Sequence, residues 1–380
     1  MAKQPGTDPE ALNARLAELR AGIDGTDDEI LDALNRRARL VSEVADLKTA
    51  LEVPFHVPSR ERQIAERLSA KNGGPFPTEA IRVVFQEILS ACLTLEKRVR
   101  VAYLGPEGTF SQMAVKQQFG LSARATPIGT IPAVFEEVER GNADFGVVPV
   151  ENTTEGGIIH TFDTFLDSDL RISAEIALQI HMCLLARAGI ELGQIERVYS
   201  LPVAAGQCRR WLATNLPRAT VVEARSTADG ARLAHDDARG AAVAAEIAAR
   251  LYDLAVLRRN IEDSAHNMTR FLVVGRDQAE PTGRDKTSLL LVTRDEPGVL
   301  FRVLGAFASR GINMSKIESR PSRKRAWEYV FFVDVDGHER DAAVGEALAE
   351  VKKACESFKV LGSYPRAETP AGSRAETPGG

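Results

Sequence analysis

Cysteine is scarce and scattered: Cys92, Cys183, Cys208 and Cys355 are the four in 380 residues, and no two stand at a metal-ligand spacing. A cytosolic setting keeps such thiols reduced, so neither a disulfide framework nor a zinc site is expected. No window of about 18 apolar residues occurs that could span a bilayer. The first residues, MAKQPGTDPE, lack the apolar core of a secretory signal, and a cytoplasmic location is expected. No long basic run dominates any segment and the formal net charge is -5, so nothing points to nucleic acid or a membrane. Negative overall charge does not exclude an anionic substrate, because local arginines decide its binding. What is present is ordinary for a globular chain, 44% hydrophobic and 27% charged, and its length suggests two or three domains of roughly 150 residues each.

Three textures follow one another. Residues 9–100 read as helix throughout, with turn signals only at Val53 to Ser59 and Lys71 to Thr78, which divide them into three helices. Leu12, Leu16, Leu19 and Ile23 form an apolar stripe, and Ile30, Leu34, Val41 and Val44 continue one farther along. Gly22 and Gly25 oppose this reading, each costing about 1 kcal/mol against Ala in a helix interior. One long helix with two short ones has little core of its own, which points to an intertwined homodimer. From 101 to 276, short β-rich runs alternate with helical ones, the pattern of an α/β domain, here in two lobes. Strand VAYLG enters the turn Gly105-Pro106-Glu107-Gly108 and a helix from near Ser111, and Thr130 is placed as an N-cap before Pro132. Ile172 to Leu184 keep a period of two and read as one long strand with one buried face. Residues 277–285, with Pro281 and Gly283, are a linker by composition. Residues 286–364 follow the order βαββαβ, a small α+β sheet with two helices on one face. The tail, 365–380, repeats RAETP, has little to bury and is expected to be disordered.

Within the helical segment, Arg37, Val41, Val44 and Lys48 share one helix face, so two cations lie on an apolar stripe. Phe85, Leu89, Cys92 and Glu96 repeat the arrangement with a carboxylate. Desolvated charge is costly unless paired, and mutual salt bridges or a charged ligand satisfy the pattern equally. The runs LAELRAGIDGTDDEILDALNRRARLVSEVADLK, SRER and FQEILSACLTLE resemble the all-helical chorismate mutase family over about 90 residues. That resemblance implies that Arg20, Arg37 and Arg60 bind the carboxylates of chorismate and that Lys48 meets the ether oxygen that breaks. It implies that Glu61 contacts the substrate hydroxyl and that Glu96 occupies the Gln/Glu position at the ether. Arg20 faces away from the Arg37 stripe on a regular helix, and in the family it reaches into the partner's site. The reaction is pericyclic, so catalysis consists of confinement and electrostatic stabilisation. Glu96 can donate only when protonated, which burial favours. The chain departs from the family at Val57, often Asp, and at Cys92, often a small hydroxyl residue.

The phrases AYLGPEGTFS, FGVVPVENTTEGG and HNMTRFLVV, each weak alone, together resemble prephenate dehydratases from Val101 to about Gly275. The resemblance implies a two-lobed α/β unit similar to periplasmic-type binding proteins, with prephenate in the cleft and Thr269-Arg270-Phe271 at its floor beside Asn267. It implies Arg270 at a substrate carboxylate and Thr269 at the leaving hydroxyl, with Glu151 a candidate proton relay and Asn152 and Thr153 shaping the cleft. Ser200-Leu201-Pro202 stands where the family usually has Ser-His-Pro. Gln207 and Cys208 match the neighbouring pattern, and Cys208 reads as packing.

GINMSKIESRPSRKRAWEYVFFVDVDG resembles an ACT domain, including Glu318-Ser319-Arg320-Pro321. Gly298, Val299 and Leu300 after Pro297 resemble its second effector motif, with Val299 replacing the commoner alanine. These imply phenylalanine as effector at a domain interface. The whole is expected to be a multidomain chain converting chorismate to prephenate and prephenate to phenylpyruvate, without cofactor or metal, as a homodimer or dimer of dimers. Two alternatives stay open: a dehydratase whose degenerate mutase segment serves dimerisation, and a small-molecule sensor.

Overall fold

The computed structural model describes residues 9–51, 58–96, 98–294, 296–321 and 329–367. The N-terminal unit is α1 (Pro9–Leu51), α2 (Pro58–Lys71) and α3 (Thr78–Glu96). At 1.5 Å per residue α1 is roughly 65 Å long, far longer than its two companions. Gly22 and Gly25 sit inside it, and a Cβ at either would meet nothing within 4 Å. Ile81, Leu89 and Cys92 of α3 are buried, whereas Leu12, Leu16, Leu19, Ile23, Ile30, Leu40 and Leu47 of α1 are exposed. The apolar stripe of α1 therefore exceeds what α2 and α3 cover. Among the described residues no helix is long and apolar enough to cross a membrane.

The α/β unit begins with β1 (Arg100–Leu104), α4 (Phe110–Phe119), β2 (Arg124–Ile128), α5 (Ile131–Glu139), β3 (Phe145–Asn152), β4 (Gly156–Gly157), α6 (Ile159–Asp167) and β5 (Arg171–Gln179). The chain then crosses to a second lobe. There follow β6 (Cys183–Ala186), β7 (Arg197–Ser200), α7 (Pro202–Gln207), α8 (Arg209–Asn215), β8 (Thr220–Glu223), α9 (Thr227–Asp236), β9 (Gly240–Ala244), α10 (Glu246–Leu251) and β10 (Ala255–Arg258). It returns to the first lobe as β11 (Met268–Gly275). The first sheet has the order β2-β1-β3-β11-β5 with β4 beside β3, and the second β10-β6-β9-β7-β8. Thr130 caps α5 through the Ala133 amide, with Pro132 in the first turn, as its sequence signature requires.

The C-terminal unit is β12 (Asp285–Thr293), α11 (Val299–Ala308), β13 (Met314–Pro321), β14 (Tyr329–Asp336), α12 (Ala342–Ala354) and β15 (Cys355–Pro365), the expected βαββαβ, in an antiparallel sheet of order β13-β14-β12-β15. One face of this sheet carries α11 and α12 over Leu289, Leu291, Val333 and Val335. Its other face lies against the first sheet: Leu290, Val292, Phe332 and Leu361 join Phe162, Phe165, Leu272 and Val274 in one core. Each such side chain contributes roughly 1.5–3 kcal/mol on burial, so the C-terminal unit is docked rather than tethered. Gly362 of β15 makes the approach possible, because a Cβ there would run into the backbone of Ile172 on β5.

Three expectations change. The period of two from Ile172 to Leu184 continues across a break: β5 and β6 belong to different sheets, and Ile180 to Met182 form the crossing between lobes. β5 is buried on both faces rather than one, because the C-terminal sheet covers the side that would otherwise meet water. The tail does not begin at Pro365, the last residue of β15, and the Ala367 amide donates to Glu175 at 2.8 Å. The expected disorder of 368–380 lies outside the described residues, as does Val57.

Candidate active sites

In the helical unit, Arg37 and Lys48 are half-buried on α1, while Arg20 and Arg60 are exposed. The Arg37 Nη1 atom is buried and, among the described residues, has no hydrogen-bond partner, a costly condition for a guanidinium unless a ligand or another chain completes it. Glu61 and Glu96 lie on α2 and α3, and their side chains fall outside the described residues.

A cleft of about 740 Å³ opens between the two lobes. Its floor is the ends of β3 and β11, where Asn152 and Thr269 are cross-strand partners. The Asn152 Nδ2 atom donates to Thr269 Oγ1 and to Asn267 Oδ1, both at 2.9 Å. Asn267, almost fully buried, donates to Gln207 Oε1 at 2.8 Å, and Gln207 donates to Thr154 Oγ1 at 3.0 Å. This chain ties the first lobe to the second across the cleft. Thr269 Oγ1 accepts from Asn152 and, among the described residues, its own proton has no acceptor, so it is available to a ligand in the cleft. Phe271, two residues on, lines the same face. Thr153 works beside the cleft, accepting from the Met268 amide at 3.0 Å and donating to the His266 carbonyl at 2.9 Å.

The walls supply electropositive ends. The turn Gly105 to Thr109 leads into α4 from the first lobe, and Arg225, Ser226 and Thr227 lead into α9 from the second; all but Glu107 and Gly108 of these line the cleft. Gly108, at φ 84°, also carries the turn against Leu251, Tyr252 and Ala228 of the second lobe. Two helix N-termini thus face the cleft, with Arg225 on its rim, an arrangement that favours an anion. Glu155 and Asp229 are the carboxyls lining the cleft. Arg225, Ser226, Thr227, Ser111 and Glu155 escaped the sequence reading. The Ser226 N-cap signature before α9 was the available signal, since its hydroxyl accepts from the Asp229 amide at 2.9 Å. Burial pushes the Cys208 thiol up to about 12, with Glu262 and Asp263 adding to it, consistent with a packing role.

Arg270 and Glu151 do not reach this cleft. Successive strand residues face opposite sides, so Arg270 turns away from Thr269, and its partner Glu151 turns away from Asn152. Arg270 Nη1 lies 2.6 Å from Asp334 Oδ2, Nη2 donates to the Tyr364 hydroxyl at 2.9 Å, and Nε lies 2.7 Å from Glu175 Oε2. Glu151 pairs with Lys316 at 2.6 Å. The expected contact of Arg270 with a substrate carboxylate, and the relay through Glu151, are therefore corrected: both side chains face the C-terminal sheet.

In that sheet, β13 alternates. Glu318 and Arg320 point at the α/β unit, where a Cβ on Gly157 would meet Glu318 Oε1 at 2.5 Å and Arg320 donates to the Ile159 carbonyl at 2.8 Å. Ser319 and Pro321 face the other way and are exposed. Gly298 (φ 76°) caps α11, with Val299 buried and Leu300 half-buried behind it. α11 covers the face of the sheet opposite the α/β unit, so Gly298 to Leu300 lie across the sheet from Glu318 and Arg320.

A curated bifunctional chorismate mutase/prephenate dehydratase from Aquifex aeolicus is 50% identical over 356 residues, 93% of this chain and 98% of its own. The chain belongs to that family. Another member, from Stutzerimonas stutzeri, is 44% identical over 93% of this chain and 98% of its own. Residues 19–97 match chorismate mutase type II, 101–279 prephenate dehydratase and 287–353 the ACT domain. Among solved structures, prephenate dehydratase in complex with L-Phe from Arthrobacter aurescens is similar with a TM-score of 0.66 and 39% identity, over 70% of this chain and 90% of that one. This bifunctional enzyme of phenylalanine biosynthesis thus carries chorismate mutase and prephenate dehydratase activities on one chain.

Proposed function

We propose that Thr269 is the hydrogen-bond donor to the departing hydroxyl of prephenate and that the cleft between α4 and α9 is the dehydratase site. The observation that supports this above others is the Asn152 bond to Thr269 Oγ1, which leaves the threonine proton free on the cleft side. In the reaction, the bond from the ring to its carboxylate breaks and releases carbon dioxide. Those electrons complete the aromatic ring, and the opposite carbon expels hydroxide, which leaves as water once protonated. The helix ends and Arg225 face the substrate's negative charge, with Thr269 stabilising the hydroxide as it forms. A threonine hydroxyl is too weak an acid to supply the proton itself, and Glu155 and Asp229 are the carboxyls lining the cleft for that task.

For the mutase, residues 9–100 bind chorismate through Arg37, Arg60 and the partner chain's copy of Arg20, with Lys48 and Glu96 at the ether oxygen and Glu61 at the hydroxyl. The Arg37 Nη1 atom, unpartnered among the described residues, and the exposed stripe of α1 both support a site completed by a second copy. Residues 101–276 form the dehydratase, 277–285 the connection and 286–364 the ACT domain. Phenylalanine is the effector, bound where Gly298 to Leu300 of one copy meet the Glu318 to Pro321 strand of another, and it inhibits the dehydratase more than the mutase. A cytoplasmic location is part of this reading, in keeping with a biosynthetic enzyme of this family. Feeding purified chain with chorismate alone tests the scheme. Phenylpyruvate should appear through a prephenate intermediate and be suppressed by added phenylalanine. Production of prephenate alone would refute the dehydratase site, and production of phenylpyruvate only from supplied prephenate would reduce the helical unit to a dimerisation element.

A further inference from the structure

Two adjacent cross-strand pairs divide between the cleft floor and the contact with the ACT sheet. Asn152 and Thr269 face the cleft; Glu151 and Arg270, each one peptide unit away, face the regulatory sheet. The strand register shifts between Arg270 and Phe271, so the floor stands beside a bulge, where backbone twist is set locally.

Among the described residues, the groups that hold Arg270 in place on the far side belong to the ACT sheet or are themselves held by it. Asp334 and Tyr364 bond its guanidinium, and Ser288 bonds both of them at 2.5 Å. Glu175 of β5 completes the set, and Lys286 Nζ holds that carboxylate at 2.8 and 3.1 Å. Glu151, also 3.6 Å from Arg270, is held by Lys316. Burial pushes the Glu175 carboxyl up, but Arg270 and then Lys286 outweigh it and bring it below its ordinary value. Adhesion alone does not call for such a cluster. The two sheets already share an apolar core, and a buried ion network is weak as a source of stability. What charged groups with fixed hydrogen-bond geometry add is position.

We infer that Arg270 is a positioning residue for prephenate dehydration: anchored by Asp334 and Tyr364 of the ACT sheet, it fixes the backbone that presents Thr269 and Asn152 to the substrate. The regulatory domain is thereby part of the scaffold of the dehydratase floor, and any shift of its sheet is felt one peptide bond from the hydrogen-bond donor. This rests on the reading of Thr269 given above.

The test uses full-length Asp334→Asn, Tyr364→Phe, Arg270→Lys and Arg270→Met, assayed for both activities. Asp334→Asn changes a residue of the ACT sheet, yet it should lower dehydratase kcat about tenfold while KM for prephenate moves less than about threefold and mutase turnover is unchanged. Tyr364→Phe should show the same split more weakly, and keeps the question decidable should Asp334→Asn fail to fold. Arg270→Met should lose about a hundredfold in kcat, and Arg270→Lys should recover part of it. A raised KM with normal kcat in the Arg270 variants would return that residue to substrate binding and overturn the inference. A lowered melting temperature with both kinetic constants unchanged would make the network mere adhesion. Thr269→Ala, assayed alongside, separates the two claims: if it is active, the reading of Thr269 has failed, whereas if it is inactive while the Asp334 and Tyr364 variants are normal, the anchoring has failed.

Discussion

Replacing Thr269 by alanine removes the hydroxyl that, in the proposed reading, faces the departing group. From the structure, two effects follow. The ground-state loss is small, because Asn152 Nδ2 keeps its 2.9 Å bond to Asn267 Oδ1 and sheds only the one to Thr269; a neutral hydrogen bond contributes about 1 kcal/mol net. The transition-state loss is larger, because charge develops on the leaving oxygen only as the bond breaks, and one such donor is worth about 2.7–4 kcal/mol, or a factor of about 100 to 1000 in kcat. KM for prephenate should hardly change, since the proposed site meets the carboxylates at the helix ends and Arg225 rather than at Thr269. Thr269→Ser, which keeps the oxygen but frees its rotation, should retain kcat within about tenfold of the natural enzyme. Formation of phenylpyruvate from supplied prephenate is the assay, with mutase turnover on the same sample as the folding control. A Thr269→Ala enzyme with kcat within about threefold of normal, or one whose defect lies wholly in KM, would refute the reasoning.

Lys48→Ala should lower mutase kcat by about two to three decades through loss of a fixed cation at the ether oxygen, leaving dehydratase activity intact; equal loss of both would make Lys48 structural. Leu19→Asp and Ile23→Asp alter side chains 51% and 60% exposed in a single chain. If a second copy covers them, sedimentation should show dissociation together with loss of mutase activity, and unchanged mass would mean the stripe stays open to solvent. Gly120, at φ 70°, lies where a Cβ would stand 2.5 Å from the Ser90 Cβ of α3, so Gly120→Ala should destabilise the junction of the helical and α/β units by about 2–4 kcal/mol, and a Ser90→Gly partner change should restore only the steric part. Burial raises both Glu175 and Glu151, yet their neighbouring cations prevail, Arg270 and Lys286 for the first and chiefly Lys316 for the second, leaving both below the ordinary value. Groups of depressed pKa give stability that is present above the unfolded value of about 4.3 and lost as pH falls through the folded one. Denaturant midpoints should therefore drop on acidification below about pH 4.5, with amide exchange rising first in β15, whereas flat midpoints down to pH 3 would contradict the charge network.

Much of this protein was legible in its amino-acid order, because the signals involved are local. The three-helix segment followed from periodicity and two turn clusters, the α5 cap from Thr130 and Pro132, and the βαββαβ unit from the succession of patterns. The cleft floor was legible through a motif, and Asn152, Asn267 and Thr269 do meet there. The period of two across Ile172 to Leu184 could not disclose its own break, since Ile180 and Met182 are as apolar at the crossing between lobes as their neighbours are within strands. Arg270 is the clearest case of what lay beyond reach. Alternation along a strand dictates that Thr269 and Arg270 face opposite ways, but it does not say what covers either face. A guanidinium beside a threonine proposed as catalytic reads as a substrate ligand when the far side of the sheet is unknown. Once the ACT sheet packs there, bringing Asp334 from 64 residues away and Tyr364 from 94, the same guanidinium is a buried anchor. Sequence alone determined which residues alternate, and only the contact between two sheets decided what each side of the alternation is for, because that contact joins residues no local pattern connects.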